Sequence, residues 1–271
     1  MKFMAALLLA CAFGACVPYT GPLPAEVRGP GITDAPFLAL DAGASQIESL
    51  HFQVRAYGGD KAQRISEVAE KAYARIMLDT NLYSFRPAGL YQIVVYADAE
   101  EYRTKTRQPS WSAGATLGNA ICSYEGPGLV GTLIHEMSHL IYHEYMGRDR
   151  EEERWVNEGL AVYEEAAAFA ETSGGRDLFG PVRGAVAQSP MPFERLARFA
   201  PATEREYSVS AWYAQAESVV RHMIERGGRL GFSQFLAALK SGKSFDEAMA
   251  AGFPGNWRNM EELERDWRKS L

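Results

Sequence analysis

The run His135-Glu136-Met137-Ser138-His139 constrains this chain more than any other feature of its sequence. It follows an apolar stretch, residues 129–134, so the two histidines enter on a helix that is largely buried. Residues four apart on an α-helix lie about 40° off one line and roughly 6 Å apart, so both imidazoles can face one point. A buried cluster of this kind needs a partner for its charge. The pattern predicts a metal-binding helix, with Glu136 beside the metal as a general base.

A third ligand is predicted from the position of Glu158, which lies 158 − 139 = 19 residues after His139. That distance allows one helix to end, a charged and solvated loop to turn over residues 147–154, and a second helix to open at Glu158. Three protein ligands leave one position for water, as in catalytic zinc sites. The predicted ligands are therefore His135, His139 and Glu158, and the predicted cofactor is Zn²⁺.

Residues 155–165, with the sequence W-V-N-E-G-L-A-V-Y-E-E, resemble the W-L-N-E-G-F-A-x-Y-x-E segment of gluzincin metallopeptidases of the aminopeptidase-N type. The spacing H-E-x-x-H-(18 residues)-E is similar to that of the same group. Residues 213–221 resemble its Y-x-K-G-x-x-V-L-R helix. Size and element order look closest to the small bacterial peptidase MA-like proteins, over about residues 45–270.

The resemblance implies an α+β zincin fold: a thermolysin-like catalytic domain with a small N-terminal sheet, an H-E-x-x-H active-site helix and a helical C-terminal half. It implies a zinc metallopeptidase that hydrolyses peptide or protein substrates by a metal-activated water. His135, His139 and Glu158 then resemble the zinc ligands and Glu136 the general base. Tyr213 resembles the tyrosine that stabilises the transition state, and Tyr207 is the reserve candidate.

Two positions differ from the family pattern. The Lys-Gly that follows the family tyrosine is Gln215-Ala216 in this chain. The G-x-M-E-N segment, which holds a substrate's amino terminus, has no clear counterpart, because the nearest candidate strand, residues 117–122, carries no glutamate. The sequence does not decide whether the protein cleaves at chain ends or within chains, and it does not identify the natural substrate.

Three residues near the motifs, and His51 further away in the sequence, are expected to have structural or supporting roles. His143 is expected to be structural or to support a ligand, because three ligands along one helix cannot surround one metal. Glu165 is expected to orient a ligand histidine rather than to bind zinc. Asn157 is expected to cap a helix. His51 is expected to be a solvated strand residue.

Residues 1–16 are predicted to be a targeting segment, since Lys2 precedes an apolar run too short to span a bilayer, which takes about 20 residues. The segment ends in a lipobox-like Gly14-Ala15-Cys16, so Cys16 is expected to become lipidated. Cys11 is a second candidate, and an ordinary signal peptide is the alternative. Residues 17–36 hold five Pro and three Gly and are expected to form a linker before a domain at 37–271.

These expectations place the protein in the bacterial cell envelope, anchored by lipid to a membrane surface. The net charge of −6 argues against nucleic acid as a partner. Cys122 is expected to pack as a small hydrophobic residue. Two other functions remain as alternatives: a non-catalytic zinc-binding lipoprotein, and a zinc hydrolase that acts on a non-peptide substrate. The sequence leaves the oligomeric state open.

The periodicity of the remaining chain predicts its elements. Strands are expected at residues 50–56, 90–97 and 117–122. Helix starts are expected at Asp60, at Asp98 with Glu101, and at Ser244 with Glu247. After residue 170 the pattern is helical with glycine and proline breaks, and helices are expected at residues 210–225, 231–240 and 259–270.

Overall fold

Five strands form one sheet in the part of the chain that this computed structural model describes, residues 37–198 and 209–271. In chain order they are β1 (Ala44–Glu48), β2 (Phe52–Tyr57), β3 (Tyr91–Tyr96), β4 (Gly114–Leu117) and β5 (Ala120–Tyr124). Their spatial order is β1-β2-β3-β5-β4. Strands β2, β3 and β5 are parallel, and the edge strands β1 and β4 are antiparallel to their neighbours. The sheet is therefore mixed, with β4 as one of its edges.

Helices connect the parallel strands and make up most of the chain after the sheet. They are α1 (Gly59–Thr80), α2 (Ala99–Thr106), α3 (Leu129–Met146), α4 (Arg154–Ser173), α5 (Gly180–Gln188), α6 (Phe193–Arg198), α7 (Val209–Gly227), α8 (Arg229–Lys240), α9 (Phe245–Gly252) and α10 (Met260–Arg268). Helix α1 is the crossover that parallel strands β2 and β3 require. The structure is mixed α/β, with a small N-terminal sheet and a mostly helical remainder, and this coarse part of the expected fold is confirmed.

Strand β3 is buried on both faces and separates two hydrophobic clusters. Ile93 and Val95 point to the larger cluster, where the sheet packs against the helices. Val94 and Tyr96 point to a smaller cluster that includes Tyr102 of α2. A strand covered on both faces needs a nearly continuous apolar sequence, which β3 has. The H-E-x-x-H motif lies on α3, on the side of the larger cluster.

Two strand predictions need correction. The stretch 117–122 is not one strand, because β4 ends at Leu117 and β5 begins at Ala120. Gly118 between them has φ +59°, the left-handed conformation that a tight reversal needs and that glycine adopts without strain. Strand β1 was not predicted, since its alternating exposed and half-buried residues carry little apolar signal. The predicted alternation of buried Phe52 and Val54 in β2 is confirmed.

Two helix starts follow the predicted capping chemistry, one does not, and a fourth helix begins at a cap that was not predicted. The Asp98 side chain accepts the backbone N–H groups of Glu100 and Glu101, Ser244 and Glu247 form a reciprocal capping box, and the Asn259 side chain accepts the N–H of Glu262. Asp60 is not a cap: Gly58, with φ +89°, precedes α1, and Asp60 lies in its first turn. A carboxylate in the first turn still favours the positive end of the helix dipole.

The remaining predictions for the scaffold have mixed outcomes. His51 lies just before β2, and its Nδ1 is 2.7 Å from Glu70 Oε2 while its ring stacks on Tyr73, so it is not a purely solvated residue. Cys122 is fully buried in the smaller cluster, as predicted. The segments 1–16 and 17–36 lie outside the described residues. Among the helices that the structure describes, none is both long and apolar enough to cross a membrane.

Candidate metal centre

Helix α3 places both histidines of the motif in the protein interior. Apolar neighbours such as Leu133, Met137 and Leu140 are buried around them, which anchors the helix between the sheet and α4. The rings of His135 and His139 lie edge to face, with centroids 4.8 Å apart. Both side chains are buried, so their polar nitrogens need partners inside the protein.

Helix α4 brings Glu158 to the histidines. Helix α3 ends at Met146, and the next residue, Gly147, has a φ of +68° that reverses the chain. A short 3₁₀ turn at Glu151–Glu153 then leads into α4. Helix α4 begins at Arg154, so Glu158 lies one turn inside it and does not open it, which corrects the prediction. The last residues of the charged loop thus form the 3₁₀ turn that leads into α4.

Three buried ligand atoms face one point between α3 and α4. Glu158 Oε2 lies 3.4 Å from His139 Nε2 and 3.7 Å from His135 Nε2, and all three atoms lie within 4.8 Å of one another. Bonds of about 2.0–2.1 Å to a tetrahedral zinc put neighbouring ligand atoms roughly 3.3 Å apart. The two separations from Glu158 Oε2 are slightly larger than that value. This group could hold a metal ion.

The charge of Glu158 supports the same conclusion. Burial alone would raise its pKa, but the imidazoles of His139 and His135 outweigh burial and lower the pKa to about 2. Its Oε2 atom is buried and faces the Nε2 atoms of both imidazoles. An ionised carboxylate in the interior is stable only when a positive group faces it. Two imidazoles and one carboxylate are also a donor set that leaves a zinc position open.

Each histidine of this group makes a hydrogen bond through its Nδ1 atom. His135 Nδ1 lies 3.0 Å from Glu165 Oε2, and His139 Nδ1 lies 2.9 Å from Asn157 Oδ1. Because both partner atoms are acceptors, each Nδ1 carries a hydrogen, and in the neutral ring each Nε2 can then present its lone pair to a metal ion. The geometry therefore gives Glu165 the orienting position that was predicted for it.

Asn157 does not have the predicted role of a helix cap. It lies inside the first turn of α4 and does not cap the helix, whose preceding residue is Glu153. Its Oδ1 accepts from His139, and its Nδ2 is 3.2 Å from His143 Nε2. His143 in turn bonds Asp149 through Nδ1. His143 therefore lies outside the candidate metal centre. It supports His139 through Asn157, which is one of the two roles that were predicted for it.

Glu136 lies next to His135, is almost fully buried, and touches the edge strand β4. The Thr116 hydroxyl lies 2.7 Å from Glu136 Oε2 and 3.1 Å from the Glu136 main-chain oxygen. A methyl group added at Gly114 would lie 3.2 Å from Glu136 Oε1. The sequence did not single out Thr116 or Gly114, because only the fold brings β4 against α3.

Tyr213 lies on α7, the helix that packs against α4. The two helices touch where Gly159, the residue after Glu158, meets Ala216, three residues after Tyr213. Tyr213 is half-buried, and its ring stands edge-on to Trp212. Its role at the reacting group stays a prediction. The reserve candidate Tyr207 lies outside the described residues.

Gln215 has a structural role in this chain. It is buried, and its side-chain amide accepts the N–H of Met191 at 2.8 Å and donates to the Met191 carbonyl at 2.6 Å. These two bonds tie α7 to the segment before α6.

The architecture and the site together define a mixed α/β protein with a buried His-His-Glu group able to hold a metal ion. A scan against protein-family models finds no match, and a search of curated proteins finds no similar sequence.

Proposed function

We propose that this chain is a zinc-dependent metallopeptidase of the gluzincin type, which hydrolyses bonds in peptide or protein substrates. One observation carries the proposal: His135, His139 and Glu158 converge in the interior, and Glu136, the residue after His135, is buried with its carboxylate against Thr116. The mixed α/β architecture, with the motif helix between a small sheet and a helical half, supports a zincin fold.

Zinc is the metal proposed for this site. The two imidazole nitrogens and one carboxylate suit zinc better than magnesium or calcium, which prefer all-oxygen ligands. A zinc ion held there supplies a Lewis acid, which acidifies water to a pKa near 7 and polarises a carbonyl group. The three residues hold and orient it, while Glu165 and Asn157 fix the two rings.

Glu136 is the proposed general base. Its carboxylate takes the proton of the attacking water and passes it to the leaving amine. Its burial excludes bulk water from competing for that proton. Tyr213 is the proposed donor of a hydrogen bond to the developing oxyanion, a contact whose loss typically lowers the rate by about 10²–10³.

The decisive experiment is mass-spectrometric profiling of a diverse peptide library with the purified, zinc-loaded protein. The Glu136→Gln variant is run beside it, with Glu67→Gln as a matched control, since Glu67 is exposed on α1. Cleavage is expected with the wild type and the control and not with Glu136→Gln, which should still bind zinc. The cleavage positions show at once whether chain ends or interior bonds are cut.

Other outcomes contradict parts of this proposal. If Glu136→Gln keeps wild-type activity, the assignment of the base is wrong. If the zinc-loaded wild type cleaves no peptide, the result favours one of two other functions: a non-catalytic zinc protein, or a zinc hydrolase for a non-peptide substrate. Absence of bound zinc in the wild type would contradict the metal centre itself.

A further inference from the structure

The edge strand β4 presents two of its residues to the carboxylate of Glu136. Gly114 and Thr116 are two apart, so their side-chain positions share one face of the strand. Thr116 touches Glu136 through its hydroxyl, and a methyl group added at Gly114 would lie 3.1 Å from Glu136 Cγ. The same added methyl group would lie 2.6 Å from Thr132 Cγ2, one helical turn before Glu136 on α3. Strand β4 thus lies directly on the side chain that is proposed to move protons.

The Thr116 hydroxyl has one hydrogen to donate, and both nearby atoms of Glu136 are acceptors when the carboxylate is ionised. The bond to Oε2 at 2.7 Å is the shorter one, which favours the charged acceptor. A glutamate side chain has three rotatable torsions, so a bond to one oxygen restricts where the other oxygen can point. This bond therefore selects one orientation of the carboxylate.

Thr116 is well placed to act as a fixed support. Its side chain is β-branched, which leaves it few rotamers on a strand. Its backbone is in register with the buried Ile121 of β5, so β4 is hydrogen-bonded to a strand of the core. Glycine at position 114 is needed because a methyl group there would overlap Thr132 Cγ2 and crowd Glu136.

We propose that Thr116 is a positioning residue that holds Glu136 in the orientation its base function requires. This inference rests on the proposed function for its catalytic consequence, but the contact itself can be tested without turnover. A bond that only ties the sheet to α3 would stabilise the fold without changing how Glu136 acts.

The experiment compares Thr116→Val, which removes the hydroxyl at nearly constant shape, with Thr116→Ser, which keeps it. Thr80→Val is the matched control, since the Thr80 hydroxyl bonds only the Ile76 carbonyl within α1 among the described contacts. Zinc content, unfolding midpoint, affinity for a small hydroxamate, and kcat and KM on a cleaved peptide are measured for each. A hydroxamate binds zinc and gives its proton to a neighbouring carboxylate, so its affinity reports on Glu136 without any turnover.

Full zinc content is expected in all three variants. Hydroxamate affinity and kcat are expected to fall about 10- to 100-fold in Thr116→Val, the range for a hydrogen bond to a charged group, with KM nearly unchanged. Thr116→Ser and Thr80→Val are expected to stay within about threefold of the wild type. Adding Thr116→Val to Glu136→Gln is expected to cause no further loss of hydroxamate affinity.

Several results would overturn the proposal. One is equal hydroxamate affinity in Thr116→Val and Thr116→Ser, and another is a full additional loss in the Glu136→Gln background. Loss of zinc from Thr116→Val would show that the hydroxyl supports the metal site as a whole. If Thr116→Val does not fold, Thr116→Ala replaces it under the same criteria. If the wild type cleaves no peptide, the proposed function fails, while the hydroxamate measurements still decide the role of Thr116.

Discussion

At the scale of single residues, the candidate centre depends on side chains that do not themselves face the metal position. Asn157 connects His139 to His143, and His143 continues to Asp149 at the surface. Glu165 holds His135 by a bond at 3.0 Å. These contacts fix the tautomer of each ring, so that Nε2 carries the lone pair toward the centre.

Replacing Glu165 by alanine is expected to weaken zinc binding about 10- to 100-fold, because outer partners orient the ligand and raise its basicity. The measurement is a chelator competition that gives the zinc dissociation constant. Glu171→Ala is the control, since Glu171 lies on the same helix but is exposed and pairs with Lys71. Equal zinc affinity in both variants would show that the bond to His135 has no effect on the metal.

At the scale of elements, the position of Glu158 depends on how closely α4 and α7 approach. Gly159 makes that approach possible: a methyl group there would lie 2.6 Å from the Ala216 carbonyl oxygen and 2.7 Å from Val220. Both helices would have to separate to accept a larger residue. The ligand immediately before Gly159 would move with its helix.

Gly159→Ala is therefore expected to lower the free energy of unfolding by about 1–3 kcal/mol, the usual cost of overpacking, despite the better helix propensity of alanine. Urea unfolding measures the change. Gly184→Ala on α5 is the matched control, because an added methyl group there meets no heavy atom within 4 Å. That control should be neutral or slightly stabilising. Similar destabilisation in both variants would contradict the close contact.

Helices α1 and α4 are joined by a buried ion pair with a pH dependence. Arg75 Nε lies 2.8 Å from Glu164 Oε2, and burial raises the pKa of Glu164 to about 7 although Arg75 opposes the rise. A folded-state pKa above the unfolded value means that the folded protein binds this proton more tightly. The associated stability is complete below about pH 4.5 and is lost as the pH rises through 7.

The Glu164→Gln variant mimics the protonated side chain and should remove this dependence. The wild type is expected to lose on the order of 3 kcal/mol relative to the variant between pH 4.5 and pH 8. Denaturant unfolding of both proteins across that range gives the difference. A constant difference between the two proteins would show that Glu164 titrates normally.

At the scale of the whole molecule, the metal is expected to contribute to stability because the ligands come from two different helices. A ligand at a thousandfold excess over its dissociation constant stabilises by about 4 kcal/mol. Chelation should therefore lower the melting temperature of the wild type and of Glu136→Gln, and calorimetry measures the shift. Glu158→Gln should show little zinc-dependent change. A melting temperature insensitive to chelator in the wild type would contradict a metal centre.

The proposed export and anchoring are tested in a bacterial host. Cys16→Ser is expected to abolish incorporation of a labelled fatty acid, whereas Cys11→Ser should leave it intact, because Cys16 follows the longer apolar segment. Cys122 is buried in the fold and serves as an internal control. Labelling that depends on Cys11 would place the lipobox at Cys11 and contradict the assignment to Cys16. An absence of labelling in the wild type would indicate an ordinary signal peptide.

The helices and the membership of the metal group could be predicted from local sequence. A spacing of four puts His135 and His139 on one helix face wherever that helix lies, and the caps at Asp98, Ser244 and Asn259 depend only on neighbouring residues. The edge strand β1 and the reversal at Gly118 were missed or misread because their side chains carry little apolar periodicity.

The sequence by itself determined that two histidines and two glutamates of the right kinds are present at the right spacing. Only the tertiary structure decided that Glu158 faces both imidazoles, that Asn157 holds His139, and that Thr116 touches Glu136. The physical reason is that these contacts join elements distant in the chain, and their distances depend on how α3, α4 and β4 pack. A local pattern carries no information about that packing.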